Sequence, residues 1–238
     1  MNNLPEISGK VTNNIDVLIR ANRVGVNLNE PFYAINWFST KMEWMYHLYN
    51  FLAARSVIGV GGTPFFKAKV TETIVDTSNS KRELLLIVRY PGGQQFKSLM
   101  QSTYFKMVSV FRIFAVANFT FGFTHKLAAD EISKKSDGLY YALHHFKSDN
   151  RVEEILQKIQ QLMPASITSK YAGQMIANLY SQEKNKEPDQ IPNLMDAIVV
   201  FQSQTEEELR SFLNSEPYRK ILDMTPTNHI SFLNRISV

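Results

Sequence analysis

The chain has 238 residues and no cysteine, which excludes disulfides, thiolate nucleophiles and thiolate metal sites and fits a reducing, cytoplasmic setting. Its formal charge of +4 is unevenly spread: residues 1–130 carry 14 Lys/Arg against 8 Asp/Glu, whereas residues 131–238 carry 12 against 14. The cations of the first part are scattered, without the dense basic run of a nucleic-acid site, so no nucleic-acid partner is expected.

Residues 1–30 form an N-terminal extension in which Ile15, Leu18 and Ile19 have the spacing of a short helix. Its opening, Met1-Asn2-Asn3-Leu4-Pro5-Glu6, lacks the basic start and apolar core of a secretory leader. From Phe32 the pattern predicts strand (32–38), helix (40–54), strand (64–74), strand (84–90), helix (93–109) and strand (116–124), a βαββαβ order. In the first helix Met42, Met45, Tyr46, Tyr49, Leu52 and Ala53 follow the i, i+3, i+4, i+7 spacing of one buried face, and Thr40 with Glu43 has the form of a capping box. Gly59-Val60-Gly61-Gly62 leads into Pro64 and a strand, so it reads as a turn; a phosphate cradle would feed a helix.

In the second strand Phe66, Ala68, Val70 and Ile74 alternate with Lys67, Lys69, Thr71 and Thr73, with Glu72 out of place on the apolar side. The unbroken apolar run from Leu84 to Val88 suits a central strand. The apolar stretch from Met107 to Phe123 contains Arg112 and Asn118 and is short for a membrane span, so it reads as helix end, turn and buried strand. No membrane partner is expected.

After a linker at 129–136 the order returns as strand (139–146), helix (150–163), strand (173–180), strand (197–201), helix (206–222) and strand (230–236), with a mobile polar loop at 182–192. The return extends to residues. Tyr33-Ala34-Ile35-Asn36-Trp37-Phe38 matches Tyr141-Ala142-Leu143-His144-His145-Phe146, 108 positions on. The apolar face of the first helix recurs as Val152, Ile155, Leu156, Ile159, Leu162 and Met163, preceded by Asn150 and Glu153 where the first copy has Thr40 and Glu43. Phe96 to Ser102 matches Leu209 to Ser215, and Tyr104 then pairs with Tyr218. This is the signature of a tandem duplication with small loop insertions, and it divides the chain into 31–128 and 137–238.

In the first copy Gly61-Gly62 precedes the second strand, Tyr90-Pro91 closes the third, Ser102 is followed by Tyr104, and Arg112 comes eight residues later. Spanning most of 32–124, this set resembles the dimeric α+β barrel superfamily of ferredoxin-like domains, closest to a single-domain bacterial family of unassigned function. The second copy has Tyr171-Ala172 near the glycine pair and Pro226 where the arginine falls, and resembles a degenerate partner. The resemblance implies an α+β fold of two ferredoxin-like βαββαβ repeats whose sheets close into an intramolecular dimeric α+β barrel. Relatives include cofactor-independent oxygenases, haem-degrading enzymes, chlorite dismutases and small-ring isomerases, so the fold leaves the reaction open. Asn36 fits the haem-degrading pattern, but the third strand ends in Arg89-Tyr90 where that branch has Trp, and Phe105-Lys106 is followed by Met107-Val108-Ser109 with no histidine. No cofactor is expected.

The leading expectation is a small organic ligand held in the first copy between sheet and helices, with Asn36, Tyr90, Tyr104, Arg112 and the His144 of the second copy as ligand contacts. Against it stands a structural reading: Asn36 and His144 satisfied within the strands, Arg112 at a helix end, the tyrosines as packing. His144 and His145 are adjacent in a strand and point to opposite faces, so they do not grip one ion, and no metal is expected. Two alternatives are a cofactor-independent oxygenase or isomerase using a His or Tyr as acid or base, and an interaction module whose barrel is solid. Whether two chains pair as a homodimer is left open.

Overall fold

The computed structural model describes residues 29–77, 82–129, 139–181 and 195–236. The extension before residue 29, most of the linker and the loop at 182–192 lie outside the described residues. The elements run β1 (Phe32–Thr40), α1 (Glu43–Gly59), β2 (Thr63–Asp76), β3 (Leu84–Tyr90), α2 (Gly93–Gln101), α3 (Thr103–Ala115) and β4 (Val116–Ala129). They continue as β5 (Tyr140–Lys147), α4 (Val152–Leu162), β6 (Ile167–Ser181), β7 (Ala197–Ser203), α5 (Glu206–Asn214), α6 (Glu216–Asp223) and β8 (Thr227–Arg235).

All eight strands form one closed antiparallel barrel in the order β1-β3-β2-β8-β5-β7-β6-β4. The first half contributes β4-β1-β3-β2 and the second β8-β5-β7-β6, so corresponding strands occupy corresponding places. The halves meet along β2–β8 and β4–β6. Closure leaves no unpaired strand edge.

Strand alternation sorts the side chains into an inner and an outer layer. Along β1, Tyr33, Ile35 and Trp37 enter the barrel, while Phe32, Ala34 and Phe38 face the helices of the first half. The interior is filled by rings, including Phe65, Phe66, Tyr141 and Tyr171, packed with Leu85, Ile87 and Val200. It is a solid core. Outside it, the helices of the second half close over Ala142, Phe146, Phe201 and Ile230.

Several local expectations differ from the structure. Each long second helix is two helices, broken at Ser102 and Ser215, which take extended backbone and accept hydrogen bonds on Oγ from Phe105 N and Tyr218 N, both at 3.3 Å. The serines therefore act as N-caps inside an apparently continuous apolar pattern. Neither expected capping box at the first helices forms. Met42 and Arg151 are the N-caps, without side-chain bonds, and the Thr40 hydroxyl instead donates to Glu83 Oε2 at 2.7 Å. No turn separates α3 from β4: helix passes directly into strand, and Asn118 takes the bend at φ 50°. Glu72 avoids the core because bulges on either side shift the register with β8, which leaves it exposed and bonded to Arg210 on α5.

Candidate functional site

The turn from α1 to β2 shapes the first half. Gly61 sits at φ +81°, and Gly62 donates its N–H to Val57 O at 2.9 Å. A Cβ on Gly62 would lie 2.7 Å from Val57 Cγ1 and 3.1 Å from Tyr90 Cε1, so only glycine lets the chain pass this close to the end of α1. Beside this turn lies a cleft of about 470 Å³ lined by Arg55, Ser56, Gly59, Val60, Leu99, Ser102 and Tyr104.

The cleft has an apolar wall and a polar mouth. Val60 and Leu99 belong to the cluster that includes Val57, Tyr90 and Phe96. At the mouth Arg55 and Tyr104 are exposed, and the first turn of α3, capped by Ser102, brings the positive end of that helix dipole. The Ser56 hydroxyl is buried without a hydrogen-bond partner. The lining contains one guanidinium and no carboxylate. Such a site favours an apolar body carrying an acidic group.

A second group of polar residues lies deeper, between the first-half sheet and α1. Lys67 on β2 is buried with its Nζ 5.2 Å from the centre of the Tyr46 ring, and burial pushes its ammonium below the usual lysine range. The Tyr46 hydroxyl is buried without a hydrogen bond, and its phenol is pushed well up by burial and the neighbouring Tyr49. Tyr49 is raised by burial and held back by the Arg112 guanidinium, and Tyr90 is raised chiefly by burial, with Tyr49 adding to it.

The five residues singled out from sequence are not gathered at one point. Tyr104 lines the cleft. Tyr90 lies in the apolar cluster behind it, between the rings of Phe32 and Phe96. Asn36 faces the helix layer, and its Nδ2 donates to Leu86 O at 3.2 Å. Arg112 ends α3 with its guanidinium 4.7 Å from the centre of the Phe119 ring. His144 is in the other half, wholly buried, with Nδ1 2.8 Å from Tyr218 Oη and Nε2 2.9 Å from Asn228 Oδ1. His145 points the other way, into the barrel against Trp37.

Sequence reading passed over Arg55, Ser56, Tyr46 and Lys67. The first two sit on a helix whose apolar residues dominate the pattern. Lys67 lies, as alternation requires, on the face of β2 opposite Phe66 and Ala68, but that face is covered there by α1 and not by solvent, while the register shift between Pro64 and Phe66 puts both Phe65 and Phe66 in the barrel. The Tyr104–Tyr218 pairing also moves by one residue. The caps align Tyr218 with Phe105, the residue that donates to Ser102.

No protein-family model matches the sequence, and no curated protein matches it. Solved structures do match. A candidate monooxygenase from Fusobacterium nucleatum subsp. nucleatum superposes with TM-score 0.57 at 11% identity, covering 87% of this chain and 93% of that one. A second, from Lactobacillus acidophilus NCFM, gives 0.51 at 11% over 87% and 94%. An anthrone oxidase-like protein gives 0.53 at 10% over 87% and 92%. The likeness is one of fold: the chain has the architecture of the dimeric α+β barrels. Among the described residues no helix is long and apolar enough to cross a membrane.

Proposed function

We propose that the protein binds a small organic acid in the cleft of its first half. The observation that carries this reading is the convergence of Arg55, Ser56, Tyr104 and the α3 amino end on an apolar pocket of about 470 Å³ without a carboxylate. That volume is in the ~300–1,000 Å³ range of ligand sites. In this reading the halves, 31–128 and 137–238, are ferredoxin-like repeats from one duplicated unit, working in the cytoplasm. Their shared strand order supports this descent. Titration calorimetry with 1-naphthoate and its neutral analogue 1-naphthamide tests the site. The acid binds, the amide binds at least about tenfold more weakly, and Arg55→Ala removes that difference. Equal affinities for acid and amide would refute the assignment.

A second reading, a cofactor-independent oxygenase, is favoured by the buried Lys67–Tyr46 pair, which offers a lysine with lowered proton affinity beside a phenol. The names of the fold neighbours agree with it. Oxygen uptake with anthrone as substrate, abolished by Lys67→Met, would support it. No uptake above buffer would remove it and leave the binding reading intact.

A further inference from the structure

Helix α1 carries large apolar side chains on its outer face as well as on its inner one. Its inner face, with Tyr46 and Ala53, packs on the sheet. Its outer face carries Trp44, Leu48, Phe51 and Ile58 at helical spacing, and Trp44, Phe51 and Ile58 are 65%, 60% and 61% exposed. Helix α3 lies beside it and repeats the pattern with Met107, Phe111 and Phe114, of which Met107 and Phe114 are 58% and 55% exposed. All large apolar side chains that the described residues leave exposed, other than Leu127, Tyr140 and Leu162, lie on these two helices or on Met42, which opens α1. A surface helix normally turns polar residues outward, so an outward apolar stripe of this extent marks a covered face.

The second half provides the contrast. Its corresponding helices expose Glu153, Glu154 and Gln157 on α4 and Glu216, Arg219 and Lys220 on α6. The same architecture thus carries an ordinary solvated face on one side and an aromatic one on the other.

We propose that the outer face of α1 and α3 is the interface of a two-fold homodimer. Area is the first argument. With a whole aromatic side chain presenting ~150–250 Å², side chains exposed by 38 to 65% leave on the order of 1,000 Å² of apolar surface in water. A monomer's largest patch is typically ~300–600 Å², whereas each partner of a stable interface contributes about 800 Å². Composition is the second. The centre of the face is Trp, Phe and Met, the types enriched in protein interfaces, and charge is confined to a few positions of both signs such as Glu43, Arg55 and Lys106. A face lying on a lipid surface would need a dense fringe of Lys and Arg, which is not there. A second copy supplies a matching surface without any further element. With the axis near Phe51, midway along α1, each copy lays its α1 and α3 on those of the other.

Sedimentation velocity of the full-length chain tests this. At about 10 μM the wild-type chain sediments as a species of twice 27.3 kDa. Phe51→Glu combined with Trp44→Glu weakens association at least about thirtyfold, as loss of a central aromatic anchor does, and leaves the circular dichroism of the folded chain unchanged, because both side chains are exposed on the single chain. Met107→Lys with Phe114→Glu, on the other helix, has the same effect and covers the case in which the first variant misfolds. Gln157→Glu on the polar side leaves the dimer intact. A wild-type monomer at about 100 μM, or a dimer that survives both helix variants, overturns the proposal. Flotation of a monomeric wild-type chain with phosphatidylcholine and phosphatidylserine vesicles also overturns it, giving the face to lipid.

Discussion

The buried His144 makes the stability of the protein depend on pH in a way that one substitution should reveal. Its ring is sealed beneath α6 and its hydrogen bonds fix the neutral form. Asn228 Nδ2 donates to Thr225 O and Leu222 O, which leaves Oδ1 as the acceptor. Nε2 of His144 therefore carries the proton, and Nδ1 accepts from the Tyr218 hydroxyl. A second proton would put a charge in an apolar layer opposite a donor. Burial accordingly pushes the imidazole down from 6.5 to about 4, only partly countered by Asn228. The unfolded chain regains about 6.5, so on acidification it takes up the proton first. The contribution is fully present above about pH 6.5 and drains away as the pH falls towards about 4, at roughly 1.4 kcal/mol per unit. Between about pH 7 and about pH 4.5 the wild-type chain should lose roughly 2 kcal/mol more than His144→Gln, which cannot titrate. Any fixed cost of the substitution is constant with pH, and carboxylate titrations are common to both proteins. Urea unfolding at the two pH values reads the double difference. Parallel losses would show that the imidazole is not held neutral by its surroundings.

Gly62→Ala should destabilise the chain by about 2 kcal/mol, because the new methyl meets both the side chain and the carbonyl of Val57 and must push the α1–β2 turn off Tyr90. A change in urea unfolding below about 0.5 kcal/mol would mean that the close approach is not needed. Ser102→Ala and Ser215→Ala should each cost about 1 kcal/mol through loss of the cap bond. The second should also disturb the near-ultraviolet signal of Tyr218, since Ser215 accepts from its backbone N–H; stability equal to wild type would remove the capping account.

Much of the fold was legible because strand alternation and helical spacing record which faces are buried. Tyr33, Ile35 and Trp37 fill the barrel as the alternation of β1 requires. Legibility failed where one residue's backbone state, or one bulge, overrides the period. Ser102 and Ser215 break helices whose apolar spacing runs on undisturbed, and the shift at Pro64/Phe66 brings Phe65 into the barrel beside Phe66. The site was harder to read for a different reason. Arg55, Ser56 and Tyr104 are contributed by two helices and converge only after the Gly61–Gly62 turn sets the end of α1 against β3, and no local pattern in the sequence encodes that approach.

The difference between the halves has a physical origin at one pair of positions. Asn36 and His144 stand at matching points of β1 and β5, each facing its helix layer. In the second half the cap at Ser215 delivers Tyr218 to the imidazole, and Asn228 on β8 completes the set, so the polar ring is locked and the helices close tightly over it. In the first half the aligned residue is Phe105, which offers no donor, and Asn36 turns back to the carbonyl of Leu86. Tyr46 and Lys67 are the buried polar groups of that layer, with Tyr49 beside them, and the space at the far end of α1 remains open. The first half leaves the Ser56 hydroxyl buried without a partner at the cleft, and the Tyr46 hydroxyl likewise towards the other end of α1. Buried groups without partners are costly unless something else meets them. Under the proposed function, the Ser56 hydroxyl is the group that a bound acid would satisfy.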